Sequence, residues 1–405
     1  MLTKIEEVAI RRILDSRGNP TVEVDIYTQN GFGSASAPSG ASTGANEVMA
    51  YPKEGLEAAV ANFKKEVMPR LLGMDAAEQE EIDVMLYEVD RTNDFSKVGG
   101  NVAVATSLAA AKAAAHSFGL PLYKYLGGAF ANCTPLPMGN VLGGGKHAVG
   151  GTDIQEYSAL SIGPTVRESI FANASVHASV KRRLMERFPE KALGKGDEGA
   201  WNAEMGNDEA LELVSDACTE VADKLHFPVR PCLDIAASEL FSEGRYYYKN
   251  QALNQEGQID FVTELIEKYD LFLVEDPLDQ EDFEGYAELT KAVGDRCLIV
   301  GDDLFVTNSV RLERGIKMGA GNAILIKPNQ VGTLTKTIET IKLAHESGYK
   351  TVVSHRSGET NDDTIAHLAV AFGCHAIKTG AVGGERTAKL NELIRIEEEL
   401  IKSEG

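Results

Sequence analysis

Six residues able to do chemistry recur along the second half of the chain: Asp234, Glu275, Asp302, Lys327, His355 and Lys378. Each interrupts a short apolar run, as in Leu-Phe-Leu-Val-Glu275 or Ala-Ile-Leu-Ile-Lys327. From Glu275 onward the separations are 27, 25, 28 and 23 residues. That is room for one strand, one helix and two short loops per step. A barrel of parallel strands presents the C-terminal end of every strand at one mouth. Three acids, two lysines and a histidine would meet there. A buried unpaired charge is too costly for a packing core to collect so many, whereas metal ions and an anionic ligand would account for them.

Asp234, Glu275 and Asp302 are an all-oxygen set, suited to a hard cation, with octahedral Mg²⁺ the leading candidate. Taken singly, each acid could equally cap the next helix. Lys327 ends an apolar strand, where burial and a neighbouring cation such as Lys378 would lower its pKa. A neutral amine is a general base; the plainer alternative is a lysine snorkelling at a rim. Glu198, in Gly196-Asp-Glu-Gly199, could stay protonated beside other carboxylates and act as a general acid, or be a solvated loop residue. Asp153-Ile-Gln155-Glu156 and Gly145-Lys-His147 are weaker signals of the same kind. Gly143-Gly-Gly-Lys146 lacks both the first glycine spacing and the Ser/Thr of a phosphate loop. Ser354-His-Arg356-Ser357-Gly-Glu-Thr360 offers an arginine fork and a hydroxyl at a strand-to-helix turn, which fits a phosphate or carboxylate clamp.

The elements that must position these residues are legible in outline. Residues 3–37 read as strands, with Thr21 to Thr28 alternating in period two and a turn at Gly31-Phe-Gly33. Lys53 to Met68 reads as a helix ending before Pro69. Asp75-Ala-Ala-Glu78 reads as a capping box opening a helix to about Val89. A third helix spans about Asn101 to Ser117. Strands followed by helices suggest a small α+β domain, and the break at Gly127–Asn132 places the boundary near 132, giving domains 1–132 and 133–405. The end, Leu390 to Gly405, reads as an acidic helix.

The net charge of −21, from 40 basic and 61 acidic residues, argues against a nucleic-acid surface; an anionic substrate then needs a local positive site. The five scattered cysteines read as reduced core thiols of a cytosolic protein. No secretory h-region follows the charged N-terminus. The alanine-rich run Val102 to Ala115 contains Lys112 and reads as a packed soluble helix, so no membrane association is expected.

The chain resembles enolase (phosphopyruvate hydratase) over nearly its full length, with the shortened loops of an archaeal-type member. The matching segments include Leu14-Asp-Ser-Arg-Gly-Asn-Pro20, Pro38-Ser-Gly-Ala-Ser-Thr-Gly44, Gly196-Asp-Glu-Gly199, Leu233-Asp-Ile-Ala-Ala-Ser-Glu239, Val274-Glu-Asp-Pro277, Gly301-Asp-Asp-Leu304, Leu325-Ile-Lys-Pro-Asn-Gln330, Ser354-His-Arg-Ser-Gly-Glu-Thr360 and Arg395-Ile-Glu-Glu-Glu-Leu400. The resemblance implies an α/β fold: a β2α2(αβ)6 TIM-like barrel preceded by a smaller α+β domain. It implies reversible dehydration of 2-phospho-D-glycerate to phosphoenolpyruvate through an ene-diolate, in glycolysis and gluconeogenesis. By position, Asp234, Glu275 and Asp302 match the ligands of a first Mg²⁺ and Ser42 the residue closing over a second. Lys327 matches the base at C2, and Glu198, with Glu156 beside it, the acid at the C3 hydroxyl. Gln155, His147 and His355 match substrate-contacting positions, Arg356 and Ser357 the phosphate clamp, and Lys378 a substrate carboxylate contact. A homodimer or higher oligomer is expected by the same resemblance, as is a cytoplasmic location, with a surface or secreted pool known in the family.

Departures fall in loops: the short segment Ala45–Gly55, Ala200-Trp-Asn202 after the acid, Gly145-Lys-His-Ala-Val-Gly150, and the short Gly383-Gly-Glu-Arg-Thr387. They leave two other readings open, a paralogue using the same chemistry on another hydroxy acid and an idle binding protein on the same fold.

Overall fold

The computed structural model describes residues 2–40, 44–148 and 150–404, with side chains to residue 402; Ser42 lies outside the described residues. The first three strands, Ile5–Leu14, Pro20–Thr28 and Phe32–Ser36, form an antiparallel meander in chain order. Val22, Val24 and Ile26 are buried, as strand alternation requires. The turn closes at Gly31, whose carbonyl accepts from Thr28 N at 2.9 Å. Phe32 and Gly33, expected in the turn, already belong to the third strand. Gly33 is there for packing: a Cβ would lie 2.1 Å from Ala109 O, on the helix Gly100–Ser117 that covers the sheet. That helix is apolar nearly all round and correspondingly buried.

Two local expectations are corrected. Pro69 does not end its helix: Leu56–Asn62 runs through a π turn, Phe63–Val67, into Met68–Leu71. The π turn immediately before it accommodates the proline within the continuous run. The capping box at Asp75 does not form. The helix is Gln79–Asp90, without a side-chain cap, and Asp75 instead accepts from Ala77 N at 3.0 Å in a local turn.

Among the described residues, eight strands close a barrel: Leu136–Gly143, Glu156–Ser161, Val229–Asp234, Leu273–Glu275, Leu298–Gly301, Ala323–Ile326, Lys350–Ser354 and Ala376–Lys378. The eighth pairs with the first. Two strands and two helices, Val166–Arg187 and Asn207–Leu225, precede six strand–helix units. The second strand is antiparallel to both neighbours, so the barrel is not wholly parallel. Leu160, Cys232, Leu273, Val300, Leu325 and Val352 fill its interior, and a larger layer lies between strands and helices. Leu334 and Leu368 of the barrel side join the N-terminal core, tying the cap to the barrel. Four cysteines are buried thiols, but Cys133 is exposed. No helix of the described residues is long and apolar enough to cross a membrane.

Candidate active site

The six charged strand ends do converge. Asp234, Glu275 and Lys378 terminate the third, fourth and eighth strands, and Asp302, Lys327 and His355 follow the fifth, sixth and seventh. Glu156 reaches the same mouth by the opposite route. Its strand is antiparallel, so the residue that begins it faces Asp234 across the ladder. This is why Glu156 precedes its apolar run whereas the other acids follow theirs. His147, Gln155, Glu156, Glu198, Asp234, Asp302, Lys327, His355, Arg356, Ser357 and Lys378 all line one small cavity. Glu275 stands just behind, bonded to Lys378.

Two ammonium groups organise the acids. Lys378 Nζ lies 2.6 Å from Glu275, 3.1 Å from Asp234 and 3.2 Å from Glu156. Lys327 pairs with Asp302, whose other oxygen accepts from Gln330 Nε2 at 2.9 Å. Asp234 also accepts from Gln155 Nε2 at 3.2 Å and from Ala236 N at 3.0 Å. A compact cation held among carboxylate oxygens is thus already a feature of this mouth. The all-oxygen donors, and the strongly raised carboxyls of Glu275 and Asp276, driven first by burial and then by neighbouring aspartates, fit a hard divalent cation. Lys327, expected to have a lowered pKa, is instead raised: burial is the largest influence and lowers it, but the neighbouring carboxylates, Asp302 foremost and Glu275 with it, together outweigh burial.

The second group of acids centres on Glu198. It has a left-handed backbone, φ 65°, a conformation costing a non-glycine residue on the order of 1 kcal/mol or more and typical of functional sites. Asn140 Nδ2 donates to its Oε2 at 3.1 Å. His355 Nε2 and His147 Nδ1 stand 3.2 and 3.7 Å from its Oε1, and His147 Nδ1 is 3.3 Å from Glu156. These imidazole contacts are close but poorly aligned, since neither nitrogen completes a hydrogen bond; catalytic contacts are often loose without ligand. Burial, followed by the charge of Glu198, pushes Glu156 up. Burial would raise Glu198 too, but His355 and His147 hold it well below the usual range. The two carboxyls are thus pushed apart, Glu156 up and Glu198 down, the reverse of the acid role expected of Glu198.

The cap supplies residues that spacing along the barrel could not reveal. Glu47 accepts both ends of the Arg356 fork, at 2.9 and 3.1 Å, and Asn329 Oδ1 accepts from Arg356 at 3.1 Å. Arg17 Nε donates to Asp197 at 3.1 Å, next to Glu198. Ser39 and Gly358 exchange backbone hydrogen bonds of 2.7 and 2.8 Å. Arg386, wholly buried, reaches His355 from the C-terminal helix Gly384–Glu404. Each of these lies in a segment that the sequence marks only as a family match or a shortened loop.

Two family models match the chain: the enolase C-terminal TIM barrel domain over residues 131–404 and the enolase N-terminal domain over residues 5–126. The chain is 54% identical to an enolase of Methanothermobacter thermautotrophicus over 402 residues, covering 98% of this chain and 97% of that one. It is 55% identical to an enolase of Methanocorpusculum labreanum, covering 98% and 100%, and 54% identical to one of Natronomonas pharaonis, covering 98% and 99%. The chain belongs to the enolase family.

Proposed function

We propose that this member of the enolase family is a phosphopyruvate hydratase, a hydro-lyase that reversibly dehydrates 2-phospho-D-glycerate to phosphoenolpyruvate in glycolysis and gluconeogenesis. One observation carries the reading. Glu156 heads the second barrel strand and Lys327 follows the sixth, and four places in a ring of eight strands is half a turn. A base and a carboxyl pair therefore face each other across the cavity, as removal of a C2 proton and loss of a C3 hydroxyl from opposite sides require.

In this reading Lys327 takes the C2 proton once its bond to Asp302 is relaxed and its ammonium has given a proton to solvent. Glu198 delivers a proton to the departing hydroxyl, with Glu156 and His147 beside it. Arg356 and Ser357 bind the phosphate, Lys378 and Gln155 orient the carboxylate end, and His147 and His355 bound the acid side. Asp234, Glu275 and Asp302 would hold a first Mg²⁺ and Ser42 would reach a second. When bound, these ions supply positive charge to substrate carboxylate oxygens as electron density collects there. Division of labour between residues 1–132 as cap and 133–405 as catalytic barrel, a homodimer and a cytoplasmic location complete the proposal.

The test is ultraviolet absorbance of phosphoenolpyruvate forming from 2-phosphoglycerate with Mg²⁺, then with excess chelator. Formation that stops on chelation is expected. A folded, Mg²⁺-binding protein that forms none would move the reading to a paralogue acting on another hydroxy acid.

A further inference from the structure

Arg386 has no assigned part in the reaction, yet it is the largest fully buried side chain among the described residues. Its Nη1 lies 2.8 Å from His355 Nδ1 and 2.6 Å from Arg356 O, and its Nη2 lies 2.6 Å from Ser357 O. One guanidinium thus spans three successive residues of the clamp loop. The path to it is built from glycine. Gly380 has φ 79°, and a Cβ there would lie 3.0 Å from Glu198 O and 3.1 Å from Arg386 Cγ.

The contact with His355 has only one chemical solution. A guanidinium has donors and no acceptor, and does not deprotonate in proteins. Nδ1 must therefore present its lone pair, which leaves the ring's single proton on Nε2, the nitrogen 3.2 Å from Glu198 Oε1. An imidazolium would set N–H against N–H at 2.8 Å beside a second positive charge. We propose that Arg386 is a positioning residue for the dehydration: it fixes His355 as the neutral Nε2–H tautomer and so keeps that proton on the nitrogen nearest Glu198. The inference rests on the phosphopyruvate hydratase reading only for its kinetic consequence; the tautomer follows from the geometry.

The surroundings agree. The charged groups acting on His355 are Glu198 from the acid loop, Arg386 from the last helix and Lys378 from the eighth strand. Glu385 lies 3.1 Å from Arg386 Nε. Burial first, with Arg386 and Lys378 adding to it against Glu198, pushes His355 down to about 4. A neutral donor at this place orients Glu198 without competing with it as the acid.

The experiment uses the full chain with its 8 histidines labelled with ¹⁵N, the His355 signals being identified by their loss in His355→Gln. An unprotonated Nδ1 and no titration from pH 8 down to about 5, well below an ordinary histidine, are expected. In Arg386→Met, protonated Nδ1 should appear and His355 should titrate nearer its ordinary value of about 6.5. Dehydration at saturating substrate should fall about a hundredfold, with C2 proton exchange changed less than about threefold; Arg386→Lys should recover part of the loss. A protonated Nδ1 in the parent would overturn the proposal, as would an unchanged His355 signal in Arg386→Met or equal loss of exchange and dehydration. Should Arg386→Met not fold, the parent spectrum decides. A protein that forms no phosphoenolpyruvate leaves the spectral test intact, so the two readings fail separately.

Discussion

Replacing Lys327 with alanine separates proton abstraction from everything else the mouth does. Lys327 is only 9% exposed, and no water-borne amine takes its place. The other mouth lysine, Lys378, is committed to Glu275, Asp234 and Glu156 at 2.6, 3.1 and 3.2 Å and cannot swing over. Exchange of the C2 proton into deuterated water, followed by proton NMR, should therefore drop by about 10⁴, the upper range for a positioned base, or about 5 kcal/mol of barrier. The variant strips Asp302 of its ion partner and leaves it Gln330 Nε2 at 2.9 Å. Leaving one partner of a buried pair alone costs about 3–5 kcal/mol, a penalty that a divalent cation on Asp302 would relieve. Calorimetric titration should then show Mg²⁺ bound no more weakly than by the parent. Exchange within about tenfold of the parent in a folded variant would refute Lys327 as the base. Weakened Mg²⁺ binding would refute the competition between lysine and cation for Asp302.

Glu198→Gln keeps the shape of the acid but cannot deliver its proton, so dehydration should slow by about 10²–10⁴ while C2 exchange persists; equal loss of both would count against its role. Arg17→Ala frees Asp197, next to Glu198 in the acid loop, from a largely buried ion pair. Dehydration should fall a few-fold with KM for 2-phosphoglycerate little changed, and a KM effect alone would show that Arg17 serves binding instead.

How far the residues could be read in advance depended on the kind of constraint that placed them. Asp234, Glu275, Asp302, Lys327, His355 and Lys378 obey a fold rule, since strand ends of one barrel share one mouth, and their spacing was enough to gather them. Glu156 breaks the rule because its strand runs backwards, so the residues offered it only as a weak signal and its role came from the resemblance. Arg386, Asn140, Glu47 and Arg17 come from a helix, a strand interior and the cap, where no period along the chain records proximity. Charge states were the least legible. Lys327 and Glu198 carry shifts opposite to those argued from their surroundings in sequence, because specific partners outweigh burial, Asp302 and Glu275 for the lysine and the two imidazoles for the acid.

The cap must also stay seated for Glu47 to reach Arg356, and Asp362 is one of the residues that seats it. It follows the clamp loop directly. Its Oδ2 accepts from Lys112 Nζ at 3.0 Å and from Ser36 N at 3.2 Å, both on the cap, while Oδ1 accepts from Thr364 N at 2.8 Å. Burial would raise this carboxyl, but Lys112 and the Thr364 bonds lower it to about 2. Against an unfolded value near 3.9, that contributes on the order of 2 kcal/mol. Because the folded value is the lower one, the contribution is complete above about pH 4 and lost as pH falls through about 2. Asp362→Asn lacks the charge at every pH. Its urea midpoint should lie below the parent's at pH 7, and the gap should close between pH 4 and pH 2 even as both proteins weaken. A gap that stays constant over that range would mean that the Lys112 pair does not stabilise the seated cap.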